Sequence, residues 1–182
     1  MATRPTVGDL ERAADAVRDL IRCLGLDPDV PELAGTPERV VSSFSEMLGG
    51  TREDPSAPLR RGDAVPIGTE MVSLSGIGFR SVCAHHLLPF SGTANITYLP
   101  HSRIVGIGSI VRCLEILSTR PQMQEKLGQE LADMLVSGAG ASGAVVVLEA
   151  RHACIADRGP REAESQLRTV AAAGDTVDSR FR

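Results

Sequence analysis

Cys83-Ala84-His85-His86-Leu87-Leu88-Pro89-Phe90 lies between two stretches that read as strands, and it holds two of the chain's four histidines beside a cysteine. Upstream, Met71 to Val82 alternates weakly and carries Gly76 and Gly78, which fits a strand with a bulge or twist. Downstream, Gly92 to Leu99 alternates more cleanly and is bounded by Pro89 and Pro100. Leu87-Leu88-Pro89 reads as a bend between the two. Together with His152-Ala153-Cys154, the first four residues hold three of the four histidines and two of the four cysteines.

That pattern points to a metal. A cysteine and a histidine three residues apart both turn toward one ion if the backbone bends after the strand. His152 and Cys154 are two apart, so an extended segment would aim both at one face. A Cys₂His set holds Zn²⁺ with three protein ligands and leaves the fourth position to water, the arrangement of a catalytic site. The ion would bring that water's pKa toward neutrality and supply a hydroxide nucleophile. C-x-x-H alone arises by chance, and cysteine is often only a small buried hydrophobe. A structural zinc site wants four protein ligands, and a second cysteine pair is missing.

Working outward, Leu10, Ala13, Ala14, Val17, Leu20, Ile21 and Leu24 recur at helical spacing up to Gly25. Thr36-Pro37 offers an N-cap and a proline at the first helical position. Val40, Val41, Phe44, Met47 and Leu48 form that helix's apolar face, and Gly49-Gly50 stops it. Thr51 to Asp63 reads as an exposed connection. A helix is expected over Ser109–Ser118, and another from Pro121, as its first residue, to about Val136. Ala144 to Leu148 is a β-branched run and reads as a buried strand. The tail from Glu164 is open between a last strand and disorder. Cys23 and Cys113 read as inert core thiols, and His101 as a solvated surface histidine.

This order predicts an α+β fold with helices layered on a largely antiparallel sheet. At 182 residues the chain suits one structural domain. Within it, residues 1–63 read as an N-terminal helical region and connection, and 64–182 as the catalytic core. Acidic residues outnumber basic ones 23 to 19, and all but Lys126 of the basic residues are arginine. Neither a basic stripe nor interleaved aromatics point to nucleic acid. No apolar run is long enough for a membrane span, and Met1 to Asp9 lacks the apolar stretch of a signal peptide. Reduced thiols then predict a cytoplasmic protein.

The chain resembles the GTP cyclohydrolase I family from about Leu20 to Gly159. The resemblance rests on Gly35-Thr36-Pro37-Glu38-Arg39-Val40, the 83–90 segment, Tyr98-Leu99-Pro100, Arg120-Pro121-Gln122-Met123-Gln124-Glu125, and His152-Ala153-Cys154 followed by Arg158-Gly159. It implies a tunnelling (T-) fold, whose sheets join across subunits into a barrel, and a homo-oligomer, a decamer in many members, with active sites between subunits. It implies Zn²⁺ on Cys83, His86 and Cys154, with His85 and His152 moving protons. The expected substrate is a small-molecule purine or purine nucleotide. Hydroxide attack at C8 opens the C8–N9 bond, and C8 leaves as formate. Glu125, with backbone help near Gln124, matches the carboxylate that grips the guanine N1–H and exocyclic amine.

The phosphate cradle is thinner than the family's. Arg39, Arg112 and Arg158 match three basic positions, but Ser42 and Ser109 stand at the other two. Each lost charge-assisted bond is worth roughly 1.5–3 kcal/mol, so both cost about 10²–10⁴ in triphosphate affinity. Gly108 replaces a serine tied to the later steps, Ala84 an acidic residue, and Glu164–Val170 a threonine-rich run in which Thr169 stays. Three readings follow: the full reaction on GTP, with Arg103, Arg120 or Arg161 making up the charge; ring opening of a less phosphorylated or oxidised purine (a nucleoside, monophosphate, 8-oxoguanine or urate) without pterin formation; and a non-catalytic, zinc-stabilised purine-binding module.

Overall fold

Two long strands flank the cysteine–histidine segment, as its reading predicts: β2 covers Val72–Cys83 and β3 Pro89–Pro100. The computed structural model describes residues 3–175, so the sequence tail beyond Asp175 lies outside the described residues. Ahead of β2 come helix α1 (Val7–Cys23), helix α2 (Thr36–Met47), two short 3₁₀ turns and β1 (Asp63–Ala64). After β3 come β4 (Arg103–Ile104), helix α3 (Ile107–Ser118), β5 (Pro121–Gln122) and helix α4 (Gln124–Ser137). β6 (Ala141–His152), the single-turn helix α5 (Ala153–Ala156) and β7 (Leu167–Gly174) complete the described chain.

The main sheet runs β5-β2-β3-β6-β7, antiparallel except for the short parallel β5–β2 contact. β1 and β4 form a separate antiparallel pair. Alternation decides which face is buried. Ala94, Ile96 and Tyr98 of β3 and Ala144, Val146 and Leu148 of β6 all face the core. Helices α3 and α4 cover that face with Ile110, Cys113, Leu114 and Leu117, and with Leu127, Leu131 and Leu135. The expected α+β layering is therefore what forms. The bulge falls between Leu74 and Ile77, where Gly76 takes φ +71°.

Several local expectations change. Pro121 does not open a helix: it and Gln122 pair with Val82 and Cys83 as β5, and the Gln122 carbonyl accepts from Ala84 N–H at 2.9 Å. The helix starts only at Gln124, because the tertiary pairing outweighs the local preference for proline at a first turn. Gly35, not Thr36, caps α2, without a side-chain bond. The 51–63 connection is anchored, since Leu59 is fully buried among the core side chains. The segment from Leu167 is a strand.

Cys113 is a core thiol, and burial pushes its pKa up to about 12. Cys23 is not: it ends α1, a helix packed on α2 with Leu20 and Leu24 left exposed, and it faces solvent. Thiol alkylation of the native protein near pH 8 is expected to modify Cys23 and spare Cys113 until denaturant is added. Mass spectrometry of the labelled peptides reads this directly, and a labelled Cys113 in folded protein would contradict it.

Candidate metal centre and active site

At the end of β2 the backbone closes a tight bend. Cys83 N–H donates to the Leu88 carbonyl at 2.8 Å, and Leu87 N–H donates to the Cys83 carbonyl at 2.8 Å. Leu87 sits in the left-handed region at φ +54°, an uncommon conformation for a leucine that this pair of bonds holds in place. The bend turns His86 back, so that its Nδ1 lies 3.9 Å from Cys83 Sγ.

The third donor arrives from β6. His152 ends that strand, and the chain turns at once into α5, which carries Cys154. His152 and Cys154 are thus not two steps along one extended segment, and the strand rule for sharing a face does not apply to them. The helical turn puts Cys154 with Cys83 and His86 instead. Their ligand atoms all lie within 4.8 Å of one another.

This donor set fits zinc. Tetrahedral Zn²⁺ with bonds of about 2.3 Å to sulfur and 2.0–2.1 Å to nitrogen places its donors about 3.5–3.8 Å apart. The Cys83–His86 separation is already close to that. Burial, and then the facing Cys83 sulfur, push the Cys154 thiol pKa up. Without a cation, two adjacent thiolates are disfavoured; a divalent ion between them would favour both. Two sulfurs and one imidazole select zinc over hard, oxygen-seeking ions.

Beside this cluster His152 is held on two sides. Its ring stacks on Phe90, centroids 4.4 Å apart and planes 6° from parallel, as the β3–β6 register pairs the two residues directly. Its Nε2 lies 2.8 Å from Gln124 Oε1. Burial lowers the His152 pKa, and the Glu125 carboxylate partly opposes this. Glu125 is exposed in the first turn of α4, where the helix N-terminus favours its negative charge. His85 is exposed, its ring edge-on to His86 with centroids 6.3 Å apart.

The three arginines do not converge in this way. Arg158 Nη1 comes within 3.4 Å of His86 Nε2. Arg39 folds onto Thr36 in its own helix, 3.2 Å from Oγ1. Arg112 is engaged by two carboxylates, Glu53 and Glu115. No hydrogen bond or ion pair among the described residues links Arg39 or Arg112 to the metal cluster. Arg103 is committed to the carbonyls of Ala139, Gly138 and Arg60, and Arg120 to those of Gly50 and Glu53. Neither is free to make up missing charge.

Sequence reasoning left out the roles of Phe90 and Thr169. Phe90 is the floor under His152, and Thr169 Oγ1 lies 3.2 Å from Gln124 Nε2. Phe90 closes the 83–90 segment and Thr169 lies in 164–170, but only the strand register makes them neighbours of the site.

A model of the GTP cyclohydrolase I family matches residues 13–182. The chain belongs to the GTP cyclohydrolase I family. Among curated relatives, a GTP cyclohydrolase 1 of Leifsonia xyli subsp. xyli is 42% identical over 177 residues, covering 96% of this chain and 92% of the relative. GTP cyclohydrolase 1 of Dehalococcoides mccartyi is 38% identical over 169 residues, covering 91% and 88%. That of Campylobacter lari is 36% identical over 169 residues, covering 93% and 89%. An archaeosine synthase QueF-Like in its apo form aligns with TM-score 0.49 at 16% identity, over 60% of this chain and 98% of that one. That likeness is too slight to bear on function. As a GTP cyclohydrolase I family member the protein has the T-fold, here a five-stranded sheet under α3 and α4. No described helix is long and apolar enough to cross a membrane.

Proposed function

We propose that this protein is a zinc-dependent cyclohydrolase that opens the imidazole ring of a guanine nucleotide at C8, carrying GTP through to 7,8-dihydroneopterin triphosphate and formate. The observation that carries this reading is the Cys83, His86 and Cys154 cluster, three donors within 4.8 Å with His152 two residues from the last. Family membership and relatives named GTP cyclohydrolase 1 support it. When bound, the ion supplies Lewis acidity and lowers the pKa of the attacking water.

The chain's own residues do the rest. Glu125, exposed at the start of α4, accepts from the two parallel donors of a guanine edge and so orients the base. His152, its pKa lowered by burial, is neutral near pH 7 and can accept a proton and return it to the opened ring. His85, at the solvent side of the cluster, exchanges protons with bulk water. Arg158 stands beside His86 where an anionic substituent of the substrate would enter. Arg39 and Arg112 reach the same substrate if a second copy brings them there, in a homo-oligomer with sites between subunits, which we take to be a decamer.

A second reading is favoured by one observation: Arg112 is already neutralised by Glu53 and Glu115. With serines at 42 and 109, the triphosphate then finds less charge, and a nucleoside or monophosphate competes. The test is to incubate zinc-loaded protein separately with GTP, guanosine, 8-oxoguanine and urate, following purine absorbance, formate and pterin fluorescence. GTP consumed with fluorescent product, and nothing else turned over, is the expected result. Preferred turnover of guanosine or an oxidised base without fluorescence replaces it with the second reading. Full zinc occupancy without turnover of any purine overturns both.

A further inference from the structure

Gln124 is almost completely buried, at 1% exposure, yet carries a primary amide with four hydrogen-bonding positions. A group this polar stays buried only when it is satisfied. Its Nε2 lies 3.0 Å from the Leu148 carbonyl and 2.9 Å from the Leu167 carbonyl, with Thr169 Oγ1 at 3.2 Å. Backbone carbonyls only accept, so the nitrogen of the amide must face β6 and β7. The oxygen is thereby fixed on the opposite side, 2.8 Å from His152 Nε2. An amide oxygen only accepts, so His152 Nε2 must carry the hydrogen. In the neutral imidazole the lone pair then belongs to Nδ1.

The ring has little room to do otherwise. Phe90 covers one face in parallel stacking, and Phe79 braces Phe90 edge-on at 6.1 Å between centroids. A ring flip would leave the buried Oε1 without its donor. Gln124 itself offers no donor hydrogen to a substrate, because both point at carbonyls of the sheet.

We infer that the Gln124 side chain is a positioning group and not a substrate contact: its buried amide, anchored on β6 and β7, fixes neutral His152 as the Nε2–H tautomer, with the lone pair on Nδ1. The assignment of His152 to proton transfer rests on the function proposed above; the tautomer rests only on geometry.

The test separates the two. Nitrogen-15 magic-angle-spinning NMR of zinc-loaded, full-length protein with labelled histidines, at a pH where the imidazoles are neutral, reads the tautomer without any substrate. His152→Asn identifies the His152 signals. The wild type is expected to show His152 with a protonated Nε2 and an unprotonated Nδ1; the opposite tautomer overturns the inference, whatever any variant does. Gln124→Met, close in size, is expected to lose the tautomer bias and to lower kcat about 10–10²-fold with KM within about twofold. An unchanged tautomer in Gln124→Met, or a rise in KM with kcat kept, makes Gln124 something other than a positioning residue. Absence of turnover in the wild type would sink the proposed function and leave the tautomer result standing.

Discussion

Changing Cys154 to serine is expected to produce a folded protein that loses its zinc on gel filtration and turns over purine more than about 10²-fold more slowly than the parent, since disturbing even outer-shell partners of a metal costs 10–100-fold. The cluster has only three protein donors among the described residues, so no fourth side chain can compensate. Serine nearly matches cysteine in shape, which keeps the packing of α5, but its hydroxyl is a far weaker zinc ligand than a thiolate. Elemental analysis of metal per chain checks the first half, and kcat with the preferred purine the second. A chelator should lower the Tm of the parent, because zinc binding is linked to folding, and leave the Tm of Cys154→Ser nearly unchanged. Cys113→Ser is the matched control. That thiol is more deeply buried, in the core between α3 and the sheet, so its replacement is expected to cost about 1–3 kcal/mol of stability while zinc content stays at the parent's level. Full zinc occupancy in Cys154→Ser would remove Cys154 from the metal site.

The sheet was legible where alternation was strong. β3 alternates in sequence as it does in burial because one of its faces is covered by helices, whereas the middle of β6 was legible as a β-branched run, Val145 to Val147. β5 was not legible. Pro121 and Gln122 carry no strand signal of their own; they pair only because the chain returns alongside the end of β2. The same holds for the site. The cysteines and histidines of 83–86 and 152–154 announce a metal by type and spacing, but the spacing argument for His152 and Cys154 assumed one extended segment. The turn into α5 separates them into a stacked imidazole and a metal-cluster thiol. Gln124 marks the limit most clearly. From sequence it stands beside Glu125, which the family resemblance offers to the guanine, and its side chain looks like part of the same contact; only the β6–β7 register reveals that its amide is spent on those two strands, His152 included.

His152→Asn is expected to reduce kcat by about 10²–10⁴-fold, the range set by removing a general acid–base group, with KM changed by no more than a few-fold and zinc content unchanged. Asparagine is shorter but keeps a donor on the side of Gln124, so the loss of buried hydrogen bonding is limited. It cannot exchange a proton near neutral pH, which is the property the proposed reaction asks of this position. Steady-state kinetics, paired with metal analysis on the same preparation, distinguishes three outcomes. A fall in kcat alone places His152 in proton transfer. A rise in KM alone makes it a binding surface for the base, stacked over Phe90. Loss of zinc would mean that the strand end at His152 and the helical turn at Cys154 form one mechanical unit. The geometry argues against that last result, because His152 is anchored through Gln124 to β6 and β7 while Cys154 is placed by α5. Two residues apart in sequence, Cys154 and His152 are therefore expected to fail differently: one by losing the metal, the other by keeping it in a site that can no longer move a proton.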